Sequence, residues 1–288
     1  MIPKIIHYCW FGRNPLPPLA VKCIESWKKY LPDYEIKEWN EDNFDVNIIP
    51  YTSEAYSVKK YAFVSDYARF WLLYKYGGVY FDTDVEVIRP IDDIVERGAF
   101  MGCEKDDVKY RPLTVAPGLG IGAEPGMSIY KEIIDYYNCS HFLNPDGIPD
   151  LSITVVGHLT SILKKNGLQE HKGIQKVCGV TIYPSEYFAP INFTTHRIHI
   201  TKNTRTIHHY MASWTDNSKK TWKSRLYSIM PEWILIANNR LKWMMRKRKK
   251  GYEWIIVDKD NYNIDPDGAI QFLWVNERNI YYRRIAFF

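Results

Sequence analysis

Apolar positions recur at two spacings along this chain, and the first 90 residues alternate between them. Pro3 to Phe11 is a short apolar run ending at Gly12, which predicts a buried strand. Asn14, Pro15, Pro17 and Pro18 make a loop. Leu19 to Tyr30 has helical spacing through Ala20, Ile24 and Trp27, and stops before Pro32. Tyr34 to Trp39 alternates and predicts a second strand; Asn40 to Tyr51 is polar and irregular. Val58 to Tyr76 reads as one long helix, with apolar residues at Ala62, Tyr67, Phe70 and Leu73 and Gly77-Gly78 as its stop. Val79 to Phe81 and Val85 to Ile88 follow as short strands. Strands alternating with helices predict an α/β protein with a mainly parallel, Rossmann-like sheet flanked by helices.

The pattern is looser beyond this point. Gly118 to Ala123 is a glycine-spaced turn or strand, Gly126 to Tyr137 is helical, and Ser152 to Lys165 predicts a second long helix. Val180 to Phe188 is strand-like and aromatic, and Arg205 to Tyr210 predicts a late strand. Trp233 to Met245 is helical in pattern, and the stretch from Tyr252 to Phe288 alternates like strands. The expected organisation is a catalytic domain over 1–232, a basic helical segment over 233–251 and a tail over 252–288.

Composition changes the picture in two places. The net charge is +5, yet residues 240–250 alone hold seven basic groups and no acid, leaving the remainder at −2. The basicity is local, which argues against a nucleic-acid partner, where basic groups line a broad face. Trp233, Ile234, Leu241, Trp243, Met244 and Met245 intersperse the basic groups, a pattern suited to a helix lying on an anionic membrane surface. Cys9, Cys23, Cys103, Cys139 and Cys178 are scattered and form no CxxC, which predicts reduced, buried thiols in a cytoplasmic protein. No apolar run has signal-peptide or transmembrane length, so the expected location is cytoplasmic, peripheral on a membrane at most.

Four constellations carry chemistry. Asp82 and Asp84 flank Thr83 just past a buried strand. Residues i and i+2 of a strand share a face, so both carboxylates can converge on one ion, or one on the ion and one on a ribose. Mn²⁺ and Mg²⁺ prefer such oxygen ligands and usually keep substrate phosphate in their shell. Asp-x-Asp also occurs in solvated turns, but open α/β sheets bind ligands beyond strand carboxyl ends. Second, Asp66 and Arg69 share a face of a helix that is otherwise apolar, with Ser65 beside them. Third, the run from His7 through Tyr8 and Trp10 puts aromatics at the end of the first strand, where one can stack on a nucleobase. Fourth, His208 and His209 precede Ser213 and Trp214; adjacent histidines in a strand face opposite ways, so one of the two can reach a metal.

In this order the four elements resemble the glycosyltransferases containing the DXD sugar-binding region. That family includes yeast-type initiating α-1,6-mannosyltransferases and many bacterial capsule and lipopolysaccharide enzymes, with the clostridial glucosylating toxins more distant. The resemblance runs from about Ile2 to Trp214 and is densest in SDYARFWLLYKYGGVYFDTDVEV, which is similar to the family's S-D-x-x-R, G-G-x-Y and D-x-D signature. It implies a GT-A type fold and a Mn²⁺ or Mg²⁺ cofactor. It also implies retaining transfer of a hexose from a nucleoside diphosphate sugar, with UDP-hexose as default, to a glycan or lipid-linked acceptor in surface polysaccharide synthesis. By the same resemblance Asp84 binds the metal and Asp82 is shared among ribose, sugar and metal water. Asp66, Arg69 and Ser65 would hold the donor sugar, while Trp10 and Tyr8 serve the base. His208 or His209, with Ser213 and Trp214, would close over the diphosphate. Ala212 stands where glycine is usual. Two other classes fit less of the pattern. A phosphotransferase or hydrolase needs a phosphate-cradling glycine loop, but Gly77-Gly78 precedes a strand. A non-catalytic carbohydrate-binding module leaves the four charged residues unexplained.

Overall fold

The computed structural model describes residues 1–106, 112–151, 154–191, 197–211, 231, 234, 255–258, 270–275 and 279–284. Ser213, Trp214, Trp233 and the basic run 240–250 lie outside the described residues.

The chain opens with β1 (Ile5–Cys9), α1 (Pro18–Tyr30), β2 (Glu35–Trp39), α2 (Pro50–Ser57) and α3 (Tyr61–Tyr76). Next come β3 (Gly78–Tyr80), β4 (Val85–Val87), α4 (Asp92–Val95), β5 (Phe100–Lys105), β6 (Thr114–Ala116), β7 (Ile121–Ala123), α5 (Ser128–Asn138) and α6 (Val155–Lys165). β8 (Gln175–Val177), β9 (Val180–Tyr183), α7 (Ser185–Phe188) and β10 (Thr206–His208) complete the body, and β11 (Ile255–Asp258), β12 (Ile270–Val275) and β13 (Asn279–Arg284) form a separate antiparallel sheet.

The main sheet has the order β2-β1-β3-β7-β5-β9-β8, with β6 added on β5. β1, β2, β3, β5 and β9 run in one sense; β6, β7 and β8 are reversed. The expected α/β class with a mainly parallel sheet is the one that forms. Alternation along the strands fills two cores. Ile6, Val79 and Phe100 meet Ile24 and Trp27 of α1 on one face, while Tyr80 and Met101 meet Phe70, Ile133 and Leu159 of the helices on the other. Trp27 is fully buried and its Nε1 donates to Val85 O at 2.7 Å, so α1 locks β4 into place. Burial of that ring contributes on the order of 3 kcal/mol.

Three expectations change. The helix expected from Val58 to Tyr76 is α3, which starts at Tyr61, and a separate helix, α2, begins inside the stretch read as irregular. Pro50 starts α2, and Lys59, at φ 59°, breaks the path before α3. Val180 to Phe188 is a strand followed by the short α7. Cys139 and Cys178 are exposed thiols, whereas Cys9, Cys23 and Cys103 are buried as expected. Cys139 caps the end of α5, and Cys178-Gly179, both at positive φ, form the tip of the β8–β9 hairpin. No helix among the described residues is long and apolar enough to cross a membrane.

His7 fixes the start of the sheet. Its Nε2–H donates to Gly77 O at 2.9 Å, and its Nδ1 accepts from Trp39 Nε1 at 3.0 Å, which selects the neutral tautomer. Gly78, at φ 100°, packs against it, and a Cβ there would fall 2.7 Å from Ile5 O. Burial lowers the His7 pKa to about 4. The unfolded chain therefore takes up a proton near pH 6.5 that the native chain refuses until about pH 4, so stability falls as pH falls through this window. We expect His7 to account for a loss of about 2–3 kcal/mol between pH 7 and 4.5. Urea titrations at both pH values check this: His7→Gln should lose less of its own stability than wild type, and equal losses would remove the assignment.

Candidate active site

α3 is buried along most of its length because α2 and α5 pack beside it, and this carries Asp66 and Arg69 into the interior. The Arg69 side chain is only 5% exposed. Its Nη2 lies 2.9 Å from Asp66 Oδ1 and 3.3 Å from Asp82 Oδ1, its Nε donates to Ser65 O at 3.0 Å, and its guanidinium stands 5.0 Å from the centre of the Tyr80 ring. Burial opposes charge on Arg69, but Asp82, Tyr80 and Asp66 hold it firmly protonated. Burial also pushes the Asp66 carboxyl up to about 7, with Arg69 pulling down and Asp82 pushing further up. One fixed cation thus faces two acids, leaving the cluster short of positive charge.

Gly77-Gly78 ends α3 and turns the chain into β3, which delivers Asp82 to the carboxyl edge of the sheet. The Asp82–Asp84 segment lies between two strands, as expected, and forms a tight turn. Val85 N donates back to Asp82 O at 3.1 Å, and this closure, more than the pleat, brings the two carboxylates together. Tyr80 closes the G-G-x-Y signature, which by itself assigns it no role; its hydroxyl donates to Asp82 Oδ1 at 3.1 Å. Asp84 is buried, and its Oδ2 accepts from Met211 N at 2.8 Å while its Oδ1 lies 3.0 Å from His208 Nε2.

Antiparallel pairing of β10 with β4 sets His208 opposite Val85 and so beside Asp84. His209 turns the other way, with Nε2 2.8 Å from Glu86 Oε2, whose other oxygen meets Lys22 Nζ at 3.0 Å. Of the two histidines left open by the sequence, His208 is therefore the one brought to the aspartates, and His209 is not. Burial opposes a charged His208, but its bond to Asp84 and the charges of Asp84, Asp82 and Glu104 raise its pKa. Burial likewise opposes charge on Asp84, and the His208 and Met211 contacts outweigh it and lower its pKa. Asp82, Asp84 and His208 offer ligand atoms that all lie within 4.8 Å of one another. His208 Nδ1 is buried with no hydrogen-bond partner among the described residues, so the ring has unused bonding capacity. Two carboxylates and an imidazole fit Mn²⁺, and fit Mg²⁺ less well because of the nitrogen.

The remaining candidates have other partners. Trp10 follows β1, is half-buried, and donates from Nε1 to Asn14 O at 2.6 Å. Tyr8 is buried edge-on against Trp27, with its hydroxyl on Glu38 Oε2 at 2.6 Å. Ser65 Oγ donates to Tyr61 O at 3.3 Å, within its own helix.

Residues 17–101 match the family model described as the glycosyltransferase sugar-binding region containing a DXD motif. Over this span the chain is similar to that glycosyltransferase region. This region includes Ser65, Asp66, Arg69, Asp82 and Asp84, so the resemblance drawn from the sequence is borne out there. Inositol phosphoceramide mannosyltransferase 3 of Schizosaccharomyces pombe is 32% identical over 108 residues, 35% of this chain and 29% of the relative. The uncharacterized glycosyltransferase L373 of Acanthamoeba polyphaga mimivirus is 26% identical over 198 residues, 67% of this chain and 74% of the relative. The chain spans 29% and 36% of the lengths of two fission yeast relatives. Among solved structures, PaToxG Glycosyltransferase aligns at a TM-score of 0.40 and 18% identity, over 57% of this chain and 69% of that one.

Proposed function

We propose that this chain moves a hexose from a nucleoside diphosphate sugar to a hydroxyl of a glycan or lipid-linked glycan, with retention at the anomeric carbon. The observation that carries this reading is the convergence of Asp82, Asp84 and His208 beside the buried Asp66–Arg69 pair, at the carboxyl edge of an α/β sheet. Asp82, Asp84 and His208 would hold a divalent cation, which when bound would supply Lewis-acid neutralisation of charge on the diphosphate. Arg69 offers a fixed positive charge, Asp66 an acceptor for donor-sugar hydroxyls, and Trp10 a face for the base. In the transfer, the bond from the anomeric carbon to phosphate oxygen breaks as the acceptor oxygen bonds to that carbon. The acceptor proton passes to the departing phosphate. Aligning the two reactants accounts for about 7–11 kcal/mol of the barrier reduction.

UDP-hexose is the default donor by the family resemblance and GDP-mannose its alternative, which relatives named as mannosyltransferases favour. A thermal-shift panel of both with Mn²⁺ distinguishes them. A true donor at a hundred times its Kd should raise Tm by roughly 5–10 °C, and the same pair should release nucleoside diphosphate slowly to water. No shift and no release with any donor would overturn the reading.

A further inference from the structure

Three glycines, Gly118, Gly120 and Gly122, run from the β6–β7 turn into β7, and each has a different reason to be glycine. Gly120 has φ 134°, a conformation that side chains rarely adopt. Gly122 lies in β7 under the Phe100 ring. Gly118 is buried and lies outside the left-handed region, so neither the turn nor its backbone demands a glycine. What it lacks is space. A Cβ there would overlap Asp82 Oδ2, fall 2.8 Å from Asp82 Cγ and reach within 3.4 Å of Arg69 Nη1.

The contact is held from the backbone as well. Asp82 N donates to Gly118 O at 3.1 Å, which pins the turn against the Asp82–Asp84 segment. Thr206, on the strand that carries His208, donates to Phe188 O at 3.1 Å and more weakly to Leu119 O at 3.5 Å. The turn around Gly118 therefore touches both segments that bring ligand groups together. On its other side Asp82 is fixed through Oδ1 by Tyr80 and Arg69. A carboxylate has few rotamers, and this one is bracketed on both oxygens.

We propose that Gly118 is a positioning residue for Asp82: its bare face is the seat that aims the Asp82 carboxylate toward Asp84 and His208. The importance of this seat to the reaction rests on reading Asp82 as a metal ligand; the seat itself rests on geometry alone. A methyl group at 118 displaces a side chain, not the backbone, so the fold survives while Asp82 swings off Tyr80 and Arg69.

The test is a cycle of Gly118→Ala, Asp82→Ala and the double variant, read by Tm and by Mn²⁺ binding followed by electron paramagnetic resonance. Gly118→Ala should weaken Mn²⁺ binding by about 10–100-fold, as for other groups that orient a ligand, and lower Tm by a few degrees. In the Asp82→Ala background the same substitution meets an empty seat and should leave Tm within about 1 °C. A Gly118→Ala variant that fails to fold while the double variant folds also supports the proposal. Equal Tm losses in both backgrounds, failure of both to fold, or wild-type Mn²⁺ affinity in Gly118→Ala would overturn it. Wild-type protein that binds no Mn²⁺ would overturn the metal reading instead, and the Tm cycle would still decide the seat.

Discussion

Asp84→Asn is expected to lower sugar transfer by about three orders of magnitude, the equivalent of roughly 4 kcal/mol in the barrier, with the fold intact. Asp84 is buried and uses both oxygens, one facing His208 and one accepting from Met211 N. An asparagine amide has a single acceptor oxygen. With that oxygen on Met211 N, the amide nitrogen faces His208 Nε2, which can accept only after giving up its proton, and the negative charge that raises the His208 pKa is gone. Asp82→Asn should lose activity too. Its carboxylate is more exposed, at 28% of its side chain, so the polar mismatch is smaller. Nucleoside diphosphate release at saturating Mn²⁺, with circular dichroism as a fold control, measures both. Activity within threefold of wild type in Asp84→Asn would rule out Asp84 as a ligand.

The second large effect is on stability. Arg69→Met should destabilise the protein by about 3–5 kcal/mol, because removing one partner of a buried pair strands the other. Here it strands two: Asp66 at 2.9 Å and Asp82 at 3.3 Å both lose their counter-charge. The expected fall in Tm is roughly 10 °C. Adding Asp66→Asn should restore part of it, since Asp66 is the more buried of the two acids, with Asp82 left partly solvated. Differential scanning calorimetry on the three proteins decides the matter. A double variant no more stable than Arg69→Met would mean that the arginine acts through packing alone.

Much of this was legible because periodicity reports burial. α1, α5 and α6 each present one apolar stripe, and β1 and β3 are short apolar runs, so their types could be read directly. α2 was not, since PYTSEAYS buries only Thr52 and Ala55 and shows almost no stripe; Pro50 at its first position was the available signal. β5, β6 and β8 are short strands whose pairing is set by distant segments. For the site, helical spacing put Asp66 and Arg69 on one face, but their link to Asp82 spans a helix end and a strand. The pleat rule separated His208 from His209 without saying which faces inward. That was decided by the β4–β10 register, a fact about two segments that no single stretch contains. Gly118 was visible only as one of several spaced glycines, because its reason is the carboxylate of another segment.

The β4–β10 ribbon also dictates when the site can come into being. Met211 and Asp84 are 127 residues apart, so the two acids leave the ribosome long before the histidine that completes their set. Pairings of such long separation form late, and domains fold as the chain emerges from its amino end. A nascent polypeptide halted before Thr206 would hold Asp84 without His208 or Met211, while Asp82 already has Arg69 and Tyr80. The set of Asp82, Asp84 and His208 is thus completed in one step, when β10 docks on β4.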